Sequence, residues 1–141
     1  MLLGDKMALI GFHYTKILVE RKNVGVEKMN ISNNIVITGV KEANVAIGEQ
    51  KEAGVEFSFQ FKTAYEPKVA SIELTGAVVY LTAAAKAKEI LTKWGKEKKL
   101  APDILERVYN HLLEKCNIEA LMLSRDMQLP PHIPLMKVSA K

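Results

Sequence analysis

The stretch CNIEALMLSRDMQLPPHIPLMKV, from Cys116 to Val138, says most about the fold of this chain. It begins with apolar residues at helical spacing and ends in a segment with three prolines, at positions 130, 131 and 134, and no glycine. Proline cannot continue a helix and disfavours helix in the residue before it, so this segment is predicted to be extended. Because many of its side chains are apolar, it needs an apolar surface to lie on. The stretch therefore predicts a long helix followed by a packed tail.

Two helices are predicted before the tail. The first follows Thr82, whose hydroxyl is expected to cap it, and ends at Gly95, which suits the left-handed C-terminal position. The second begins at Pro102 and runs to about Gln128, which corresponds to about 27 residues and roughly 40 Å. A helix of this length is longer than a small sheet is wide. We therefore expect part of its surface to contact another chain.

Four strand-like segments precede the helices. The clearest, Val55 to Phe61, alternates apolar and polar residues and places three phenylalanines on one face. The other predicted strands are Met7 to Arg21, bulged near its middle, Ile35 to Ile47, and Val69 to Leu81. Polar, glycine-containing stretches at 22–34 and 48–54 are predicted to be loops. The phenylalanine row is either a core face or the floor of an apolar groove, and the core is favoured because aromatic rows on strands usually meet helices.

Together these segments predict an α+β fold. Its parts are a four-stranded antiparallel meander sheet, two helices packed on one side of the sheet, and an extended proline-rich C-terminal tail. The length of 141 residues suits one domain that spans 1–141.

Composition narrows the classes of function. The chain is 48% hydrophobic and 26% charged, which is typical of globular proteins. Its formal net charge is +4, but acidic and basic residues are interspersed, and only Lys96, Lys98 and Lys99 form a dense basic run. Nucleic-acid binding through this run and Arg107 is thus an alternative hypothesis rather than the favoured one. One cysteine, and no apolar run long enough to span a membrane, favour a cytoplasmic protein without membrane insertion.

No set of residues has the pattern of a catalytic or metal site. His13, His111 and His132 fall on a strand, a helix and the tail, and Cys116 lies five positions after His111. Zinc sites use ligands at short fixed spacings, and phosphate or dinucleotide loops need clustered glycines. The sequence therefore predicts no enzymatic activity, no metal and no cofactor.

Four strand-like segments, a mid-length helix, a long helix and a Pro/Leu-containing tail resemble the SecB family of export chaperones. Phe12 to Glu20 and Val55 to Phe61 resemble the first and third strands of that family. The resemblance implies an ATP-independent holdase that binds unfolded or preprotein polypeptides in an apolar groove. It also implies a homo-oligomer, either a dimer or a dimer of dimers.

The groove that the resemblance implies has early strands as its floor and the long helix as its wall. The candidate client-binding residues are Ile35, Ile37, Val45, Ile47, Leu121, Met122, Ile133 and Leu135. Two departures concern the SecA motor, which SecB engages through an acidic sheet surface and a basic C-terminal extension. This chain is net basic and stops at Lys141, just after the tail, so coupling to SecA is not expected. A small-molecule-binding module is a third hypothesis, and it predicts a closed monomer with an internal cavity.

Overall fold

A computed structural model of the protein describes residues 7–22, 29–43 and 52–133. Within these ranges the order of elements is four strands followed by two helices. The strands are β1 (Ala8–Arg21), β2 (Asn30–Ala43), β3 (Glu52–Glu66) and β4 (Ala70–Ala83), and the helices are α1 (Ala84–Glu97) and α2 (Pro102–Asp126). The predicted α+β class is confirmed.

The sheet is antiparallel throughout, but the predicted meander is wrong in one respect. The strand order is β1-β4-β3-β2, so only β2, β3 and β4 follow one another as a meander, and β1 pairs with β4 on the far side. A physical reason lies in the composition of the strands. β3 and β4 carry the most continuous apolar alternation and occupy the two central positions, whereas the more polar β1 and β2 form the edges.

Both edge strands contain irregularities that change which side chains face the core. The register of β1 shifts between Leu9 and Gly11 and again between Tyr14 and Lys16, which confirms the predicted bulge. The register of β2 shifts between Ile37 and Gly39. A bulge reverses the alternation of side chains between the two faces of the sheet. Val40, which pairs with Phe57, therefore lies on the same face as Ile37, which pairs with Phe59.

Parts of both predicted loops belong to strands in the structure. Residues 30–34 belong to β2 and pair with residues 62–66 of β3. Residues 52–54 belong to β3, where Gly54 pairs with Ala43 on one side and with Leu81 on the other. Asparagine and glycine have low strand propensity, but pairing with neighbouring strands overrides it. Val45 and Ile47, predicted at the end of the second strand, lie outside the described residues.

The hydrophobic core lies between one face of the sheet and the helices. Phe57, Phe59 and Phe61 are 0%, 0% and 1% exposed, so the core interpretation of this row is confirmed. From α2, residues four apart complete the core: Ile104, Val108, Leu112, Cys116 and Ala120. This spacing is that of one helix face. Neither helix in the described part of the chain has the length and apolarity needed to cross a membrane.

Both predicted caps of the first helix are wrong. The residue before α1 is Ala83, which makes no side-chain cap hydrogen bond, and Thr82 lies in β4. Gly95 lies inside the helix, and Lys98 adopts the left-handed conformation with φ of 56° and donates its N–H to the Trp94 carbonyl at 2.9 Å. The helix thus ends three residues later than glycine chemistry alone predicts.

Candidate functional site

The outer edge of β2 is the first feature of the candidate site. β2 is the last strand in the sheet order and pairs with β3 along its other edge. In the part of the chain that the structure describes, no strand pairs with this outer edge. Alternate backbone N–H and C=O groups of an edge strand point away from the sheet and can bond to an added strand.

A cleft with a volume of about 420 Å³ opens beside this edge. Its lining comes from β2, the end of α1, the connection between the helices and the first turns of α2: Val36, Ile37, Trp94, Lys98, Lys99, Leu100, Leu105 and Tyr109. Most of this lining is apolar or aromatic, and the volume lies within the range of ligand-binding clefts. We call this feature the β2 cleft.

Local sequence explains why these side chains meet. α1 ends one turn after Trp94, where Lys98 adopts the left-handed conformation, and the chain enters α2 at Pro102. Leu105 and Tyr109 are four residues apart on α2, each one position beyond a buried core residue, so they lie along one border of its core face. The two helices therefore place half-buried side chains on the same opening.

The charged groups in the lining of the β2 cleft are both cationic. Lys98 and Lys99 are exposed, and the Lys98 ammonium lies 5.9 Å from the centre of the Trp94 ring. A cation over an aromatic ring is attracted by the negative face of the ring. The lining contains no carboxylate among the described residues. The cleft is thus an apolar surface with a positive rim.

The structure distributes the predicted client-binding residues over separate regions. Ile35 and Ile37 lie on the helix-facing side of β2, where Ile37 lines the β2 cleft. Leu121 lines a different hollow of about 520 Å³, next to Pro130 and Pro131. It is twelve residues, or about 18 Å, along α2 from Tyr109. The helix therefore does not bring Leu121 to Ile37.

The remaining predicted residues lie elsewhere or outside the described ranges. Met122 is 46% exposed on the outer side of α2, and Ile133 is half-buried at the end of the described chain. Val45, Ile47 and Leu135 are not among the described residues. A contact of any of these residues with a client stays a prediction.

Sequence reasoning missed most of the residues that line the β2 cleft. The predicted client-binding residues include neither Trp94 nor the pair Leu105 and Tyr109. A signal for the last two exists, because a second apolar line on α2, one position beyond the buried stripe, indicates a face wider than one core contact requires. No local pattern indicates that β2 borders this line, since that depends on the strand order.

A second apolar surface runs along β1 and the outer side of α2. Its exposed large side chains are Ile17, on the helix-facing side of β1, and Ile118 and Met122, four residues apart on α2. The Tyr14 hydroxyl donates to the Lys115 carbonyl at 3.3 Å, and the Arg21 guanidinium donates to the Met127 carbonyl at 2.7 Å. These two contacts show that α2 runs along β1 between them. We call this feature the β1/α2 surface.

Residues considered for catalysis are held in separate places. His111 stacks on Tyr80 and shares a short hydrogen bond with its hydroxyl, whereas Cys116 is fully buried beside Tyr14. Burial raises the pKa of the Cys116 thiol to about 12, so this thiol is protonated at neutral pH. Among the described residues, no three His, Cys, Asp or Glu side chains lie close enough together to hold a metal ion.

Comparison with known proteins shows a shared fold. No family model and no curated protein matches the sequence. A SecB-like chaperone of Mycobacterium tuberculosis, solved in complex with a ChAD peptide from an antitoxin, matches with a TM-score of 0.56 at 12% identity, over 94% of this chain and 88% of that one. A Streptococcus agalactiae protein of unknown function matches with a TM-score of 0.51 at 10% identity, over 94% and 98%. The SecB-like fold predicted from the sequence is thus confirmed.

Proposed function

We propose that this protein is an ATP-independent holdase that binds extended, apolar segments of unfolded polypeptides in the β2 cleft. The observation that carries this proposal is the apolar cleft beside the outer edge of β2. An extended segment there can bond its backbone to β2 while alternate side chains enter the cleft. Both interactions recur in almost any polypeptide, so the binding is weakly sequence-specific.

The lining of the cleft suits a changing set of clients. Trp94 and Tyr109 offer large apolar faces with a polar group at one end, and both are half-buried. Such side chains bury client surface at a small cost in side-chain entropy. Because the main driving force is burial of apolar area, binding persists when salt screens charges.

The fold likeness supports the same proposal. The SecB-like chaperone of Mycobacterium tuberculosis was solved with a bound peptide. By analogy, we propose that this chain also binds polypeptide and that it assembles into a dimer or a dimer of dimers. A link to protein export is a further part of the proposal, whereas coupling to a SecA motor is not.

The first test is suppression of aggregation of a chemically unfolded model protein, without nucleotide, at 0.05 and 0.5 M salt. We expect suppression near stoichiometric ratio at both salt concentrations. Leu105→Ser should weaken suppression severalfold, since it removes apolar surface from the β2 cleft. Leu91→Ser is the matched control, because Leu91 is a half-buried leucine of α1 outside this lining.

Three outcomes separate the hypotheses. Equal loss in both variants would place the client elsewhere, and no suppression by the wild-type chain would remove the holdase function. Tight binding of an oligonucleotide that falls steeply with salt would instead favour the nucleic-acid alternative. Thermal melts of both variants show whether a loss of suppression reflects unfolding.

A further inference from the structure

The rim of the β2 cleft suggests which polypeptide segments it prefers. Both of its charged lining residues, Lys98 and Lys99, are cationic and exposed. The local sequence Lys96 to Lys99 has three lysines against one glutamate, so the surroundings of the cleft keep a positive sign. A client side chain beside the apolar anchor therefore meets positive charge.

We propose that the β2 cleft selects apolar segments flanked by Asp or Glu and disfavours apolar segments flanked by Lys or Arg. This inference rests on the proposed function, because it names the class of client that the same cleft takes. The apolar part of the segment fills the space beside Trp94 and Tyr109, and a flanking carboxylate reaches Lys98 or Lys99.

The geometry of Lys98 favours such a pair. Its backbone is held in the left-handed conformation by the hydrogen bond of its N–H to the Trp94 carbonyl. Its ammonium already lies 5.9 Å from the Trp94 ring, beside the opening. A partly positioned side chain loses less rotational freedom when it forms an ion pair. A basic client residue at the same place meets like charge, which lowers affinity and slows association.

The test uses the fluorescence of Trp94, the only tryptophan of the chain, which lines the β2 cleft. Three tryptophan-free peptides share the apolar core Val-Phe-Ile-Val and carry two Glu, two Ser or two Lys residues on each side. At 0.05 M salt we expect the Glu-flanked peptide to bind about tenfold more tightly than the Lys-flanked one. Two exposed ion pairs together provide a free-energy difference of this size. At 0.5 M salt the ratio should fall to about twofold.

Charge-reversal variants locate the selectivity. Combining Lys98→Glu with Lys99→Glu should invert the order of the charged peptides. The control combines Lys22→Glu with Lys88→Glu, two exposed lysines outside the lining that give the same change in net charge. This control should keep the preference for the Glu-flanked peptide. Lys98→Gln with Lys99→Gln is the milder variant, and it should abolish the preference without inverting it.

The outcomes distinguish the inference from the function on which it rests. Binding of all three peptides with equal affinity would overturn the selectivity and leave the holdase proposal standing. The inference would also be overturned if the preference for the Glu-flanked peptide survived reversal of Lys98 and Lys99. It would be overturned as well if the preference disappeared in the Lys22 and Lys88 control, because the net charge of the protein would then be its cause. If no peptide changes Trp94 fluorescence or releases heat in calorimetry, the proposed function itself fails.

Discussion

At the scale of single residues, Gly76 shows how closely β1 and β4 approach each other. A Cβ atom at this position would collide with the backbone carbonyl of His13 and lie 2.9 Å from the Cα atom of Tyr14. Neither neighbour is a flexible side-chain end, so the strands themselves would have to move apart. The position therefore requires glycine for space rather than for backbone conformation.

Replacing two glycines by alanine tests this interpretation. Gly76→Ala should lower the free energy of unfolding by about 3 kcal/mol, because the added methyl group forces apart paired strands. Gly95→Ala should raise it by about 0.5–1 kcal/mol, since Gly95 lies inside α1 and an added Cβ would have no atom within 4 Å. Urea unfolding followed by circular dichroism measures both values. Equal effects of the two substitutions would contradict the close approach at Gly76.

At the scale of elements, side chains from three elements hold the segment after α2. The Tyr65 hydroxyl donates to the Pro130 carbonyl at 2.7 Å, and the Asn33 amide donates to the His132 carbonyl at 2.9 Å. Nε2 of His132 donates to the side-chain amide oxygen of Asn117 at 2.9 Å, and the ring packs edge-on against Phe61. The predicted packing of the tail is thus present for Pro130 and His132, whereas residues 132–133 form a bend rather than an extended strip.

His132 makes this attachment sensitive to pH. Its side chain is 97% buried, and since Nε2 donates to Asn117, the neutral ring leaves Nδ1 as an acceptor without a hydrogen-bond partner among the described residues. A second proton would sit on this buried nitrogen, and burial accordingly holds the pKa of His132 below its ordinary value of 6.5. The side chains in contact with the ring, Asn117 and Phe61, are uncharged.

Stability should therefore fall as the pH drops below about 6.5. Between the folded pKa and 6.5, the unfolded chain binds more protons than the folded one, and the loss stops growing below the folded pKa. Urea unfolding from pH 5 to 8 measures this loss. His132→Gln should flatten the dependence, whereas His13→Gln, at an exposed strand position, should leave it unchanged. Parallel pH curves for wild type and His132→Gln would show that another group is responsible.

At the scale of the whole molecule, the β1/α2 surface is an apolar feature that a single chain leaves exposed. Ile118 and Met122 are 56% and 46% exposed and lie four residues apart on α2. Contiguous apolar surface of this kind commonly marks an interface. Together with the outer edge of β1, it suits the homo-oligomer proposed above.

We expect the wild-type protein to have the mass of a dimer or a dimer of dimers in light scattering after size exclusion. Ile118→Glu with Met122→Glu should shift it to the monomer, because two charges would be buried in the interface. Asn110→Glu, at an exposed polar position of the same helix, should leave the mass unchanged. A monomeric wild type at micromolar concentration would remove the oligomer from the proposal.

Local sequence patterns determined most of the secondary structure of this protein and which strand face is buried. Alternation placed Phe57, Phe59 and Phe61 on the core face, and the prolines at 130 and 131 excluded a continuation of α2, which ends at Asp126. Both signals act between neighbours in sequence, so they can be read without knowing the fold. The order of the secondary-structure elements followed from the same local signals, and it carried the resemblance to SecB.

Only the tertiary structure decided the strand order and the β2 cleft. A period of two shows which face of a strand is buried but not which strand lies beside it, so a meander and the observed β1-β4-β3-β2 order have the same local signature. The cleft joins Ile37, Trp94 and Tyr109, which are separated by tens of residues. Their meeting depends on how the helices cross the sheet, and that crossing is set by packing of the whole core rather than by any one segment.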